Sequence, residues 1–271
     1  MQTGRGTERA PPATRLIPPK PVRVLTDTHS LSATQETQET MKKTLLALSL
    51  LASTSLHAAP YPRLDPNSLI NGSPEHPPIT VNIQALQNAL GNLAAHASEY
   101  PPQFDSDADR QQAITDLAPI AIVLDNMSEN SAPRAGGKAS EAHLASLLMS
   151  ARLDWIGHNL DQPGYGEKAE ANYQKLLQLS PANRKADIQD EYGRFLASVG
   201  KADAAVTQLR AAYKSGNRDS AVPLAMALLA QDKRNESVKV LKEYTRANPN
   251  DAQAQELLSA IESGQISIQQ M

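Results

Sequence analysis

The feature that most constrains this chain is a recurrence of small residues in its C-terminal half. Gly157, Gly193 and Ala225 stand 36 and 32 residues apart, and Ala169, Ala205 and Ser237 repeat that spacing twelve residues later. Tyr173, Leu209 and Leu241 follow four residues further on, and Leu176, Ala212 and Tyr244 follow three after that. Pro181 and Pro249 lie 68 apart, two periods of 34, and the middle unit has the turn Ser215-Gly216-Asn217 instead of a proline. A period of this size marks an array of stacked short units. Two antiparallel helices approach closely only where a side chain is small, so Gly or Ala recurs at each crossing. Large apolar neighbours fill the remaining space: Leu153, Ile156 and Leu160, then Tyr192 and Leu196, then Leu224 and Leu228. Gly200 breaks the chain between two helices, and Pro181 and Pro249 stop the helices before them. One helix pair cannot bury its apolar face alone; three stacked pairs make a continuous core.

This pattern resembles the tetratricopeptide repeat family over residues 150–251, in units of about 150–183, 186–219 and 218–251. Leu257, Leu258 and Ile261 lie on one side of a helix at 252–262, which reads as the solvating cap, and 263–271 follow as a tail. Two features depart from the family: Trp155 stands two residues beyond the usual tryptophan, and Arg184-Lys185 is an insertion. The resemblance implies an all-α fold, a right-handed superhelical stack of antiparallel helix pairs. It also implies that the first helix of each unit lines a concave groove that holds a protein or peptide. Carried onto this chain, the groove positions are Asp154 and His158, then Asp190 and Arg194, then Val222, Met226 and Leu229. The groove then runs from polar to apolar. Asp154, Asp190 and Glu191 argue against a clamp for a C-terminal carboxylate, because they repel it.

Ahead of the array the pattern changes. Thirteen of the 19 prolines lie at or before Pro102, and residues 59–79 read as an extended, proline-rich arm. Ile83, Leu86, Leu90 and Leu93 share one helical face, and Pro101-Pro102 ends that segment. Asp105-Ser106-Asp107 offers caps for a second helix, running to about Asn126 with Ile114, Leu117, Ile120 and Leu124 as its apolar set and Pro119 inside it. Residues 129–139 read as a loop, and the array as helical from Ser140. No run alternates as a strand does. The pair within 80–139 is a degenerate unit or an N-terminal cap.

Residues 41–58 carry a second signal. Lys42 and Lys43 precede an uncharged, leucine-rich run from Thr44 to Leu56, and His57-Ala58-Ala59 then leads into Pro60. This is the order of a secretory signal peptide, too short for a span, with cleavage expected after Ala58. Residues 1–40 are rich in proline and threonine, do not fit ahead of such a signal, and read as an upstream extension, with Met41 the start. The mature protein is then 59–271, with 19 Lys+Arg against 25 Asp+Glu, in the periplasm or secreted. That balance disfavours nucleic acid and anionic lipid as partners.

The residues of chemistry are sparse. The chain has no cysteine, which excludes disulfides, thiolate metal sites and thiol catalysis. His76, His96, His143 and His158 never fall at helical ligand spacing, and no hydrolase, metalloprotease or nucleotide-binding motif occurs. His96 reads as a helix-surface residue. Asp105, Asp107 and Asp109 lack the glycine and distal glutamate of a calcium loop, and suit a helix N-terminus. Tyr173, Tyr192, Tyr213 and Tyr244 read as inter-helix packing, and Trp155 as partly exposed. No catalytic residue, metal site or cofactor is expected. The leading expectation is an exported scaffold that binds a protein or peptide in assembling or maintaining a cell-envelope complex. Two alternatives stand beside it: a structural subunit self-associating through the N-terminal helices, and an accessory subunit or hydrolase built around 129–139 and His143.

Overall fold

A computed structural model describes residues 23–25 and 60–269, apart from 74 and 135. The region 41–58, read above as a signal peptide, and most of 1–40 lie outside the described residues. Nine α-helices follow in order: α1 (Ile83–Ala97), α2 (Asp107–Ser131), α3 (Glu141–Asn159), α4 (Tyr165–Leu179), α5 (Ala182–Ser198), α6 (Ala202–Lys214), α7 (Ala221–Ala230), α8 (Arg234–Ala247) and α9 (Ala252–Glu262). Four short strands also lie among the described residues, β1 (Arg23–Leu25), β2 (Ile70–Ser73), β3 (His76–Val81) and β4 (Ser267–Gln269), with two 3-10 turns at Pro66–Leu69 and Arg218–Ser220.

The helices pack as antiparallel pairs, α3 with α4, α5 with α6 and α7 with α8, and α9 closes the stack against α8. The fold is an all-α array of stacked antiparallel helix pairs. Its close crossings are visible at the glycines. A Cβ on Gly157 would stand 2.2 Å from Tyr165 Cδ1, and one on Gly193 would stand 2.5 Å from Leu209 Cγ and 3.1 Å from the Leu209 backbone nitrogen. Ala169, Tyr173, Ala205, Leu209, Ala225, Ser237 and Leu241 have no exposed surface, and Leu176 and Ala212 are also buried. Tyr173 stacks on Tyr192 at 5.5 Å and packs against Phe195, so the aromatic side chains join the first pair to the second. Pro181 and Pro249 are exposed, each two residues past the end of a second helix.

The units differ in extent from the sequence reading. The first pair begins at Glu141 instead of near 150, and α5 begins at Ala182, so the inserted Arg184-Lys185 lengthens its first turn. Helix α2 runs on to Ser131, five residues past Asn126, and Pro119 lies within it without ending it. Every first helix ends in one repeated turn. Its left-handed residue is Asp161 (φ 61°), Gly200 (φ 77°) and Asp232 (φ 59°) in the three units. The next N–H reaches back five residues in each: Gln162 to Gly157 at 3.0 Å, Lys201 to Leu196 at 2.8 Å, Lys233 to Leu228 at 2.9 Å. Only the glycine was legible in sequence. Aspartate tolerates the left-handed region better than most residues, which lets the other two units keep the same turn.

The N-terminal segment is not a free arm. Tyr61 and Leu69 are buried, and β2 pairs antiparallel with β3, Ile70 opposite Val81. Too few residues alternate, and Pro77-Pro78 obscures the pattern, so no strand was readable. Tyr61 donates to Asp116 Oδ2 at 3.0 Å, and Gln112 donates to Asp116 Oδ1 at 2.7 Å. Burial and the Asp116 carboxylate together push the Tyr61 phenol up. His96 is buried as well, instead of lying on the surface: its ring stacks on Phe104 at 5.2 Å and meets Tyr61 edge-on at 5.4 Å. Helices α1 and α2 are locked to the array. Asn159 donates to the Ala97 carbonyl at 2.9 Å, and Arg110 reaches the Leu160 carbonyl and Asp161. Helix α2 packs along α3, so it stands before the first unit as a preceding second helix would.

Candidate functional site

The paired helices form two layers. In one, α3 touches α5, and α5 reaches the turn ahead of α7. Arg152 on α3 donates from Nε to Glu191 on α5 at 2.9 Å with a second bond from its Nη2, and Trp155 and His158 meet the Phe195 ring at 5.9 and 6.5 Å. Arg194 on α5 donates to the Asp219 carbonyl, just ahead of α7, at 3.0 Å. In the other layer the second helices are tied: Lys201 pairs with Glu170, and Arg210 with Glu236 at 2.7 Å. These exposed pairs are each worth under about 1 kcal/mol, but they fix the register between units.

The groove positions proposed from the sequence divide along this geometry. His158, Arg194, Val222 and Met226 are part-exposed on the first-helix layer. Asp154 is not presented there: it is 6% exposed, and its Oδ2 accepts from Asn172 Nδ2 of α4 at 2.9 Å. Burial pushes its carboxyl up to about 6, against the hydrogen bond from Asn172 and the charge of Lys168, with Asp125 adding to the rise. Leu229 is also withdrawn, buried in a cluster with Ala225, Leu241 and Ile261. Asp190 is 8% exposed and held by Arg194 at 2.8 Å.

This rearranges the electrostatics expected of the face. Glu191 is matched by Arg152, Asp190 by Arg194, and Asp154 is raised toward its neutral form. Glu191 and Asp190 are therefore compensated at contact distance and add little to a field that repels a carboxylate, whereas Asp154, raised only to about 6, keeps its charge at neutral pH. What remains on the layer is a band of compensated charge over α3 and α5, then an uncharged surface at α7. The ten residues of α7 (AVPLAMALLA) carry no ionisable side chain.

His143 is 1% exposed, with Nδ1 3.0 Å from the Ser128 carbonyl. A carbonyl only accepts, so that nitrogen carries the proton and the ring joins the last turn of α2 to the first turn of α3. The His143 ring is thus sealed between α2 and α3. Among the described residues no three His, Asp or Glu side chains gather as a metal site would require. No helix among them is long and apolar enough to cross a membrane.

The fold defines an all-α array of three antiparallel helix pairs with a closing helix. No family model matches the chain, and no curated protein matches it. Among solved structures the chain is similar to one titled "Crystal structure of YrrB: a TPR protein with an unusual peptide-binding site". The two are 14% identical, the match covers 65% of this chain and 84% of that one, and the TM-score is 0.36. That likeness carries nothing about what this chain binds.

Proposed function

We propose that the chain is a scaffold that binds a protein or peptide along the layer formed by α3, α5 and α7. The observation that carries this reading is the layer itself. Three first helices lie side by side and present His158, Arg194, Val222 and Met226 part-exposed, over a closed core of Tyr173, Phe195 and Leu209. A rigid, continuous face that passes from charged to apolar suits an extended ligand with a polar and an aliphatic part. The signal-like order of residues 41–58 supports export to the periplasm, and with it a role in a cell-envelope complex.

The test is capture from crosslinked envelope extract by the tagged protein and by a His158→Ala/Met226→Ser variant. Arg194 is left intact because it ties α5 to the turn before α7. The expected result is a partner enriched by the wild type and lost from a variant with unchanged melting temperature. Equal capture by both would remove the first-helix layer as the binding face. Mass spectrometry of the native protein from the same cells reads its first residue: Ala59 is expected, and a peptide from within 1–40 would overturn the placement of the signal.

A further inference from the structure

Helix α9 ends as the first helices of the array end. Gly264 is left-handed at φ 78°, its N–H reaches the Ile261 carbonyl at 3.2 Å, and the Gln265 N–H reaches back to Ala260 at 3.0 Å. The same turn also ends α6, a second helix, with Gly216 at φ 101° and the Asn217 N–H reaching Ala212 at 3.1 Å, so it marks a helix end and not a place in a unit. No further helix follows α9 among the described residues. The chain continues extended as β4, and β4 lies against α7. Ile266 packs on the cluster of Ala225, Leu229, Leu241 and Ile261, which Val222 of α7 also touches. Arg234, at the start of α8, donates to the Ile261 carbonyl at 2.6 Å and to the Ile266 carbonyl at 3.2 Å, so one guanidinium fixes both the end of α9 and the tail. The backbone of β4 also takes an antiparallel strand, with Val24 opposite Ile268.

A helix that is apolar all round needs cover on every side. Helix α7 is such a helix, with α8 on one flank and the tail among the elements that cover the rest. The tail suits that place, since residues 263–271 (SGQISIQQM) contain no ionisable side chain. We propose that the tail from Gln265 to Gln269 is a resident strand ligand of α7. An uncharged, extended peptide segment with an aliphatic side chain at the place of Ile266 docks there by displacing it. This rests on the reading of the chain as a peptide-binding scaffold, and adds a docking place between α7, α8 and α9, beside Val222, that the chain itself holds. A tethered ligand competes at a high effective concentration, so the free peptide is expected to bind the intact chain weakly.

The test uses a fluorescein-labelled peptide of the sequence of residues 263–271 and reads polarisation. Three proteins are compared: the full chain, the same chain ended at Gly264, and the full chain with Ile266→Ser. The expected order of affinity is the shortened chain first, Ile266→Ser between, and the intact chain at least tenfold weaker than the shortened one. Val222→Glu in the shortened chain is expected to abolish binding with helical circular dichroism unchanged. Equal binding to intact and shortened chains overturns the proposal, as does no binding to a shortened chain that melts as a folded array. If shortening unfolds the array, Ile266→Ser against the intact chain decides alone, and equal affinity overturns the proposal. Partner capture by the full chain separates the two readings: capture with no peptide competition leaves the scaffold and removes only the resident tail.

Discussion

Replacing Gly193 with alanine tests the packing rule on which the array depends. The added Cβ would lie 2.5 Å from Leu209 Cγ, 2.9 Å from Leu209 Cδ2 and 3.1 Å from the Leu209 backbone nitrogen. Carbon atoms rest at roughly 3.5–4.0 Å, so the side-chain overlap is about 1 Å. Leu209 is wholly buried and cannot swing into solvent, and the backbone contact cannot rotate away. Helices α5 and α6 must therefore separate along their crossing. Overpacking of this kind costs about 1–3 kcal/mol, while alanine in place of glycine inside a helix returns up to about 1 kcal/mol. A net loss of about 1–2 kcal/mol is expected. Gly91→Ala is the matched control. Gly91 also sits inside a helix, α1, but a Cβ there meets nothing within 4 Å. That change is expected to stabilise by about 0.5–1 kcal/mol through helix propensity alone. Urea titration followed by circular dichroism at 222 nm reads both, with the midpoint moving down for Gly193→Ala and up for Gly91→Ala. A Gly193→Ala protein at least as stable as wild type would refute the claim that these small residues are required by close helix approach.

Two further outcomes follow from single side chains. The carboxyl of Asp154 is raised from its ordinary 3.8 to about 6, chiefly by burial, so the native state holds this proton more tightly than the unfolded chain. Its contribution is complete below about pH 4 and is lost as pH rises through about 6, at most about 2–3 kcal/mol by pH 7. Asp154→Asn is expected to remove that decline, read as the difference between variant and wild-type urea midpoints at pH 4.5 and 7; an unchanged difference would show the carboxyl is not the source. Asp232 holds φ 59° at the end of α7, where glycine is unstrained. Asp232→Gly is expected to raise stability by about 0.5–1 kcal/mol in the same titration, and a fall would mean its side chain contributes more than its backbone costs.

Much of the array was legible because its signal is local and repeated. Gly157, Gly193 and Ala225 mark places where a neighbouring helix leaves no room, and such a demand is written directly in residue size. Functional positions were less legible. Asp154 and Leu229 occupy the repeat phase of groove residues, yet Asn172 on α4 draws the carboxylate inward and Ala225, Leu241 and Ile261 enclose the leucine. Phase places a residue on a helix face; whether that face stays open depends on what the next element puts over it.

The N-terminal region shows the same division. Its two helices were readable from the spacing of Leu86, Leu93, Leu117 and Leu124, all now buried. The bond from Tyr61 to Asp116 spans 55 residues, and nothing in the local pattern announces it. The sequence by itself determined the helices, the period at which small residues recur, and hence the all-α array, because those depend on contacts within one unit and its copy. Only the tertiary structure decided which polar groups are buried, which charges are matched, and that an extended tail lies over α7. Those depend on which distant segments meet, and a side chain's charge and exposure are properties of that meeting.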